Sequence, residues 1–346
     1  IGMWPQPGGL LEYSSVLEPI DSLKSVDLAG IKKTLVPGWA GLATKGGKTY
    51  GLPVSANVKS LVWYNPANFK AAGLTVPKTD ADMTKLTNTI KSKKLGFPWC
   101  IGIESGGATG WAATDWMEEY VLRYGGEAQY TAWWKGKLAW SSPTVQKAAK
   151  KFAEVALTPG NVNGGGKAIA ATGFGTTANL FATDKNKCFM MRQGSFITDF
   201  FPDAVKAEYK ANNFTRVGVF KLPAPAGTTD AVLGGGDLAA AFDANPATQK
   251  VLNFILSDKL GTGAMLATYP SYLSAHKTFP SAGYKNPITK NIAGILSTAK
   301  LFGFDGSDLA PAVVNATEWT ELTNWIAGKK TQKQAFDAID ASWKKA

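Results

Sequence analysis

The chain has 346 residues, 45% of them hydrophobic and 18% charged, enough apolar material for two cored units. Lysine and arginine outnumber the acids 37 to 26, yet the lysines are scattered and only Arg123, Arg192 and Arg216 carry guanidinium groups, which argues against a nucleic-acid face. Glycine and proline punctuate the whole length and no apolar run reaches the roughly 20 residues a membrane helix needs, so disorder, coiled coil and a spanning helix are set aside.

In chain order, residues 1–4 read as the inside of a strand rather than a leader. Strands are expected at 50–54 and 61–64. Thr79 is placed to cap a helix whose apolar side is Met83, Leu86 and Ile90. A strand at 99–103 follows, then a helix opened by Ser142 and Pro143 with Val145, Ala149 and Phe152 on one side. Strands at 188–191 and 216–222 come next, and Asn245 with Pro246 opens a helix facing inward through Val251, Phe254 and Ile255. Thr331 and Gln334 form a capping-box pattern ahead of Phe336, Ile339 and Trp343. This alternation predicts an α/β protein. The stretches 160–166 and 223–236 read as loops, the second ending in a tight turn at Gly234, Gly235 and Gly236 where the chain crosses between domains.

Few chemistries are signalled. The one histidine, His276, has no GxSxG nucleophile to serve and is expected at the surface or lining a hinge. The glycine run before Asp237 lacks the Lys-Ser/Thr of a phosphate loop. Cys100 and Cys188 form no CxxC pair, so no metal site is expected, nor any cofactor. They read equally as two buried thiols or as one disulfide worth about 4–5 kcal/mol. Glu104, Asp115, Glu118 and Glu119 are candidates for a glycosidase pair, but carboxylates also accept hydroxyl hydrogen bonds in a site that only binds sugar. Twelve tryptophans say more. Trp4, Trp39, Trp111, Trp116 and Trp319 stand in Gly-, Pro- or polar-rich surroundings that suit a platform under a sugar's C–H face, whereas Trp63, Trp140 and Trp343 suit packing.

The run YGLPVSANVKSLVWYN at 50–65 resembles the family 1 extracellular solute-binding proteins of ABC importers, the class containing maltose-binding protein. The likeness continues through FKAAGLTVP at 69–77, CFMMRQGSF at 188–196, GGGD at 234–237, FDGSDLAP at 304–311 and the closing segments from Glu318 and Trp319 onward. The motifs PWCIGIES at 98–105 and ATGWAATDW at 108–116 are most similar to its α-glucoside-binding branch. That family opens with a β-α-β-α portion ahead of the strand ending at WPQPG, 4–8, and the likeness here begins at this strand.

The resemblance implies a two-lobed periplasmic-binding-protein fold of type II, its lobes joined by a hinge of crossing strands. Lobe 1 would hold 1–57 and 236–300, lobe 2 would hold 58–235 and 301–346, with the hinge near Asn57, Gly235 and Phe304. It implies a disulfide between Cys100 and Cys188. It also implies a cleft lined by Trp4 and Gln6 from lobe 1, Asn57 and Lys59 at the hinge, Trp111 and Asp115 on lobe 2, Asp237 after the glycines, and aromatic platforms at Phe196 and Trp319. The implied ligand is a mono- or oligosaccharide, an α-glucoside or relative, passed to membrane permease subunits by a monomer without catalysis. The implied place is periplasmic or extracellular, free or lipid-anchored. The alternatives weighed are a receptor for a glycerol-phosphate or peptide, and a glycoside-acting enzyme.

Overall fold

A computed structural model describes residues 1–176, 178–262 and 264–345. Its strands are β1 (Gly2–Trp4), β2 (Ala43–Lys45), β3 (Lys48–Pro53), β4 (Asn57–Val58), β5 (Leu61–Tyr64), β6 (Phe97–Trp99), β7 (Cys188–Arg192), β8 (Gly218–Lys221), β9 (Val232–Gly235), β10 (Leu238–Ala240) and β11 (Phe302–Phe304). They build three sheets, ordered β1-β10-β3-β2, β11-β9-β4 and β6-β7-β5-β8. The first and third sheets are the centres of two lobes, and the small second sheet lies between them.

That middle sheet is the hinge. Asn57 pairs with Gly235 and Phe304 with Gly234, so three crossing segments meet on a few residues. The glycines are required by contact rather than by a turn: a Cβ on Gly234 would stand 2.3 Å from the Asn57 carbonyl, and one on Gly236 would stand 2.2 Å from that of Ser55. The expected tight turn at 234–236 is therefore corrected: Gly234 and Gly235 end β9, and Gly236 follows it between crowded neighbours.

Local signals acted as expected where a cap and an apolar stripe coincided. Thr79 and Asp82 close a capping box on the helix Asp80–Ser92, which buries Met83, Leu86 and Ile90. Thr331 and Gln334 do the same for Gln332–Ser342. Pro143–Ala156 buries Val145, Ala149 and Phe152, although Ser142 makes no side-chain cap.

Pro246–Ile255 differs. It buries Leu252, while Val251 and Phe254 stay 50% and 53% exposed. The Gln249 and Asn253 amides accept from the backbone N–H of Ser25 and Asp27, both at 2.9 Å, and this polar stripe turns the helix away from the expected face. The loop expected at 160–166 holds over 160–164, and its last two residues, Gly165 and Gly166, begin the helix Gly165–Ala171, which buries Ile169. The strand expected at 99–103 is limited to Phe97–Trp99.

One hydrophobic core surrounds the first sheet and continues past the hinge to Trp63, Met191 and Phe201 on the near face of the third. The second core fills the far side with Trp99, Trp116, Trp133, Trp140 and Phe152. Trp39 and Trp116, each 2% exposed, are core residues and not sugar platforms. Trp39 packs on Phe302 and Phe304 of the hinge, and Trp116 packs on Trp99 and Tyr120, so burial overrides their polar sequence surroundings. His276 is also buried, bridged to Leu35 with Thr34 Oγ1 2.8 Å from its Nδ1, which corrects the expectation of a surface or hinge position.

Candidate functional site

A cavity of about 660 Å³ opens between the lobes. From the first lobe it is lined by Pro5, Gln6, Ser55, Asp237 and the segment Tyr269–Leu273, and from the third-sheet side by Ser105, Trp111, Phe174, Phe196, Asp199, Phe200 and Trp319. Asn57, Lys59, Gly235, Asp305 and Asp308 form its hinge end.

Local structure explains why these side chains converge. Gln6, two residues after β1 and in extended conformation, caps the helix Pro7–Glu12 without a side-chain bond, so its amide is available to the cavity and to Asp308. Trp111 starts the helix Trp111–Trp134, and its ring lies 4.9 Å from Phe174 and 5.8 Å from Phe196. Gly110, at φ 117°, allows that start to touch the Trp319 backbone, where a Cβ would come within 2.2 Å. Phe196 rides on the 3-10 turn Ser195–Phe200, which also delivers Asp199 and Phe200. Phe174 meets Phe200 at 4.9 Å, so the aromatic wall runs unbroken from Trp111 toward the mouth. Tyr269 and Tyr272 face it from a loop anchored by the Tyr272 hydroxyl donating to Val54 O and by Ala56 N donating to Leu273 O.

Beneath the hinge end lies a buried ion network. Lys59 Nζ donates to Asp115 at 2.8 Å and to Asp305. Burial opposes its charge, but the surrounding carboxylates of Asp115 and Asp305 hold the ammonium well above the ordinary lysine value. Arg192 sits 3.3 Å from Asp115 and 2.8 Å from Glu119, and Arg123 completes the set at 2.7 Å from Glu119. Burial raises the Asp115 carboxyl to about 6 against the pull of Lys59 and Arg192. Glu118 is pushed up by burial and by Asp305, and it accepts from the Gly306 and Ser307 backbones at 3.1 Å each. Glu119 is held down, burial notwithstanding, by Arg123 and Arg192. Asp115, Glu118 and Asp305 each bring an oxygen within 4.8 Å of the others, a spacing that suits a cation, and the Lys59 ammonium fills that role by bonding two of the three.

Of the nine residues expected from sequence, Gln6, Asn57, Lys59, Trp111, Phe196, Asp237 and Trp319 line one cavity. Two do not. Trp4 packs beside Tyr13 and Phe242 against the first core and is not among the cavity-lining residues. Asp115 lies below the cavity, taken by Lys59 and Arg192. Sequence reasoning missed Phe174, Asp199, Phe200, Tyr269, Ser271 and Tyr272 as well as Asp305 and Asp308. Their signals were present: Asp199 and Phe200 share the turn of Phe196, and the tyrosines flank Pro270 and Ser271, a polar context like that which singled out the tryptophans. Cys100 and Cys188 are bonded, with Cα atoms 5.4 Å apart, tying the end of β6 to β7.

Two lobes, three crossing segments and a cleft walled by aromatic rings and carboxylates define the class of hinged solute receptors. The chain belongs to the bacterial extracellular solute-binding protein family, whose profile matches residues 9–262. It is 34% identical to the alpha-glucosides-binding periplasmic protein AglE of Rhizobium meliloti, over 99% of this chain and 75% of that one. It is 32% identical to the osmoprotective compounds-binding protein GgtB of Synechocystis sp., over 99% and 79%. Among solved structures, a chitin oligosaccharide binding protein superposes with a TM-score of 0.76 at 23% identity, covering 98% of this chain and 82% of that one. Among the described residues no helix is long and apolar enough to cross a membrane.

Proposed function

We propose that this chain captures an uncharged sugar, an α-glucoside or related oligosaccharide, between its lobes and delivers it unchanged to the permease of an ABC importer. One observation carries this reading: aromatic rings and hydrogen-bonding groups from both lobes face a single cavity large enough for a disaccharide or more. Rings cover the C–H faces of a sugar while Gln6, Asn57, Asp237 and Asp308 take hydroxyls. The ligand then stabilises the closed form by the contacts that only closure completes. The name of AglE, an alpha-glucosides-binding periplasmic protein, points the same way.

The lobe limits we propose are 1–57 with 236–300 and 58–235 with 301–346. The chain acts as a monomer outside the cytoplasm, free or lipid-anchored. Binding without turnover suits a cleft beneath which the carboxylates of Asp115, Glu118 and Glu119 are sunk in bonds to cations and backbone.

Titration calorimetry with maltose, trehalose, sucrose and glycerol phosphate tests the proposal. A micromolar sugar, about 8 kcal/mol of binding, is expected. Binding of glycerol phosphate in preference to every sugar, or release of product from a chromogenic glycoside, contradicts it.

A further inference from the structure

We propose that the cleft sorts sugars by charge, taking neutral and amine-bearing ones and turning away anionic ones, with Asp199 and Asp237 as the sorting residues. This rests on the sugar-capture reading above and adds the ligand's charge to it.

Among the described residues the cavity lining holds four aspartates and one cation, Lys59. Lys59 has no spare positive charge, since Asp115 at 2.8 Å and Asp305 both hold its ammonium. Arg192 lies behind it, buried and bound to Asp115 and Glu119. Asp305 is spent on Lys59 and burial pushes Asp308 toward its neutral form, so the acidity of the cleft rests on Asp199 and Asp237, in a chain whose formal charge is +11.

Asp237 is half-buried and accepts from Ser55 Oγ at 2.9 Å. Asp199 stands exposed at the mouth and accepts from Ser271 Oγ at 3.1 Å, across from its own lobe. One such bond leaves a carboxylate with further acceptor positions, which suit hydroxyls and suit an ammonium better. Lys206 and Lys210 lie behind Asp199 on the helix Asp203–Lys210, outside the lining, and Lys206 pairs with Asp203 at 2.8 Å. The rings of Phe174 and Tyr269 add attraction for a cation and none for an anion, while the Trp111 ring already has the Lys59 ammonium 5.4 Å from its centroid. An anionic sugar would give up water and meet no free positive partner.

The test uses trehalose, maltose and sucrose and, for the tightest of these, its 6-amino-6-deoxy and 6-carboxylate derivatives, titrated at low salt. The amine is expected to bind at least as tightly as its neutral parent, and the carboxylate at least about tenfold more weakly, equal to about 1.4 kcal/mol. The double variant D199N/D237N, and separately high salt, should shrink the amine-to-carboxylate ratio by about tenfold. A structural role alone would lower all three affinities together and leave that ratio unchanged. Equal binding of carboxylate and parent, or a ratio untouched by the variant, overturns the charge proposal and leaves sugar capture standing. Failure of all three neutral sugars to bind contradicts sugar capture and this proposal with it.

Discussion

At Lys59 one ammonium meets two carboxylates in a region where the residue itself is 6% exposed. Removing one partner from such a group leaves uncompensated charge away from water, which is costlier than losing a surface pair. Lys59→Met is accordingly expected to lower unfolding stability by about 3–5 kcal/mol in a denaturant titration. The cleft rings behave differently: Phe196→Ala and Trp319→Ala should weaken sugar affinity about 10- to 100-fold, with stability changed much less, because they are half-buried at a surface rather than in a core. His276 gives the pH dependence. Burial lowers its pKa below the ordinary 6.5, so the unfolded chain binds the extra proton first. Its contribution to stability is present above pH 6.5 and is lost as pH falls below that value; His276→Gln should flatten this part of the stability profile, as followed by thermal melts. Residue identities made Lys59 and Asp115 visible as candidates, but not that they would bond each other. That pairing joins positions 56 apart and exists only once the hinge is assembled.

At the scale of elements, the features legible in sequence were those with a local cause. The two capping boxes and the proline-opened helices needed only neighbours a few residues away. The rotation of Pro246–Ile255 was hidden, because its cause is a pair of bonds to Ser25 and Asp27, more than 220 positions distant. The glycines at 234–236 were noticed for the right residue type and assigned the wrong reason: a turn and a crowded crossing call for the same missing Cβ. The disulfide is the covalent tie of the third sheet, joining the end of β6 to its parallel neighbour β7 across 88 residues. Its closed loop restricts the unfolded chain, so Cys100→Ser with Cys188→Ser should cost about 2–5 kcal/mol and lower the melting temperature. Reduction of the wild type should reproduce the shift.

For the molecule as a whole, a three-stranded hinge joins the lobes, and side-chain bonds cross between them as well, among them Tyr209 with Thr289, whose hydroxyls lie 2.8 Å apart, and Ser271 with Asp199 at 3.1 Å. The ring platforms and the hinge are on different elements, so the cleft changes shape when a few backbone angles at Asn57, Gly235 and Phe304 change. Alternation along the chain sufficed for the α/β class, while the lobed fold and most of one wall of the cleft were legible only through the family resemblance. The opposing wall from Tyr269 to Leu273 carries no regular element and no period, and its place comes from tertiary bonds to Val54 and Ala56.

Small-angle X-ray scattering of the protein with and without saturating disaccharide tests ligand-driven closure most directly. A smaller radius of gyration on adding sugar, absent in Phe196→Ala/Trp319→Ala at the same sugar concentration, is the predicted result. Sugar that binds by calorimetry yet leaves the scattering curve unchanged would contradict the account.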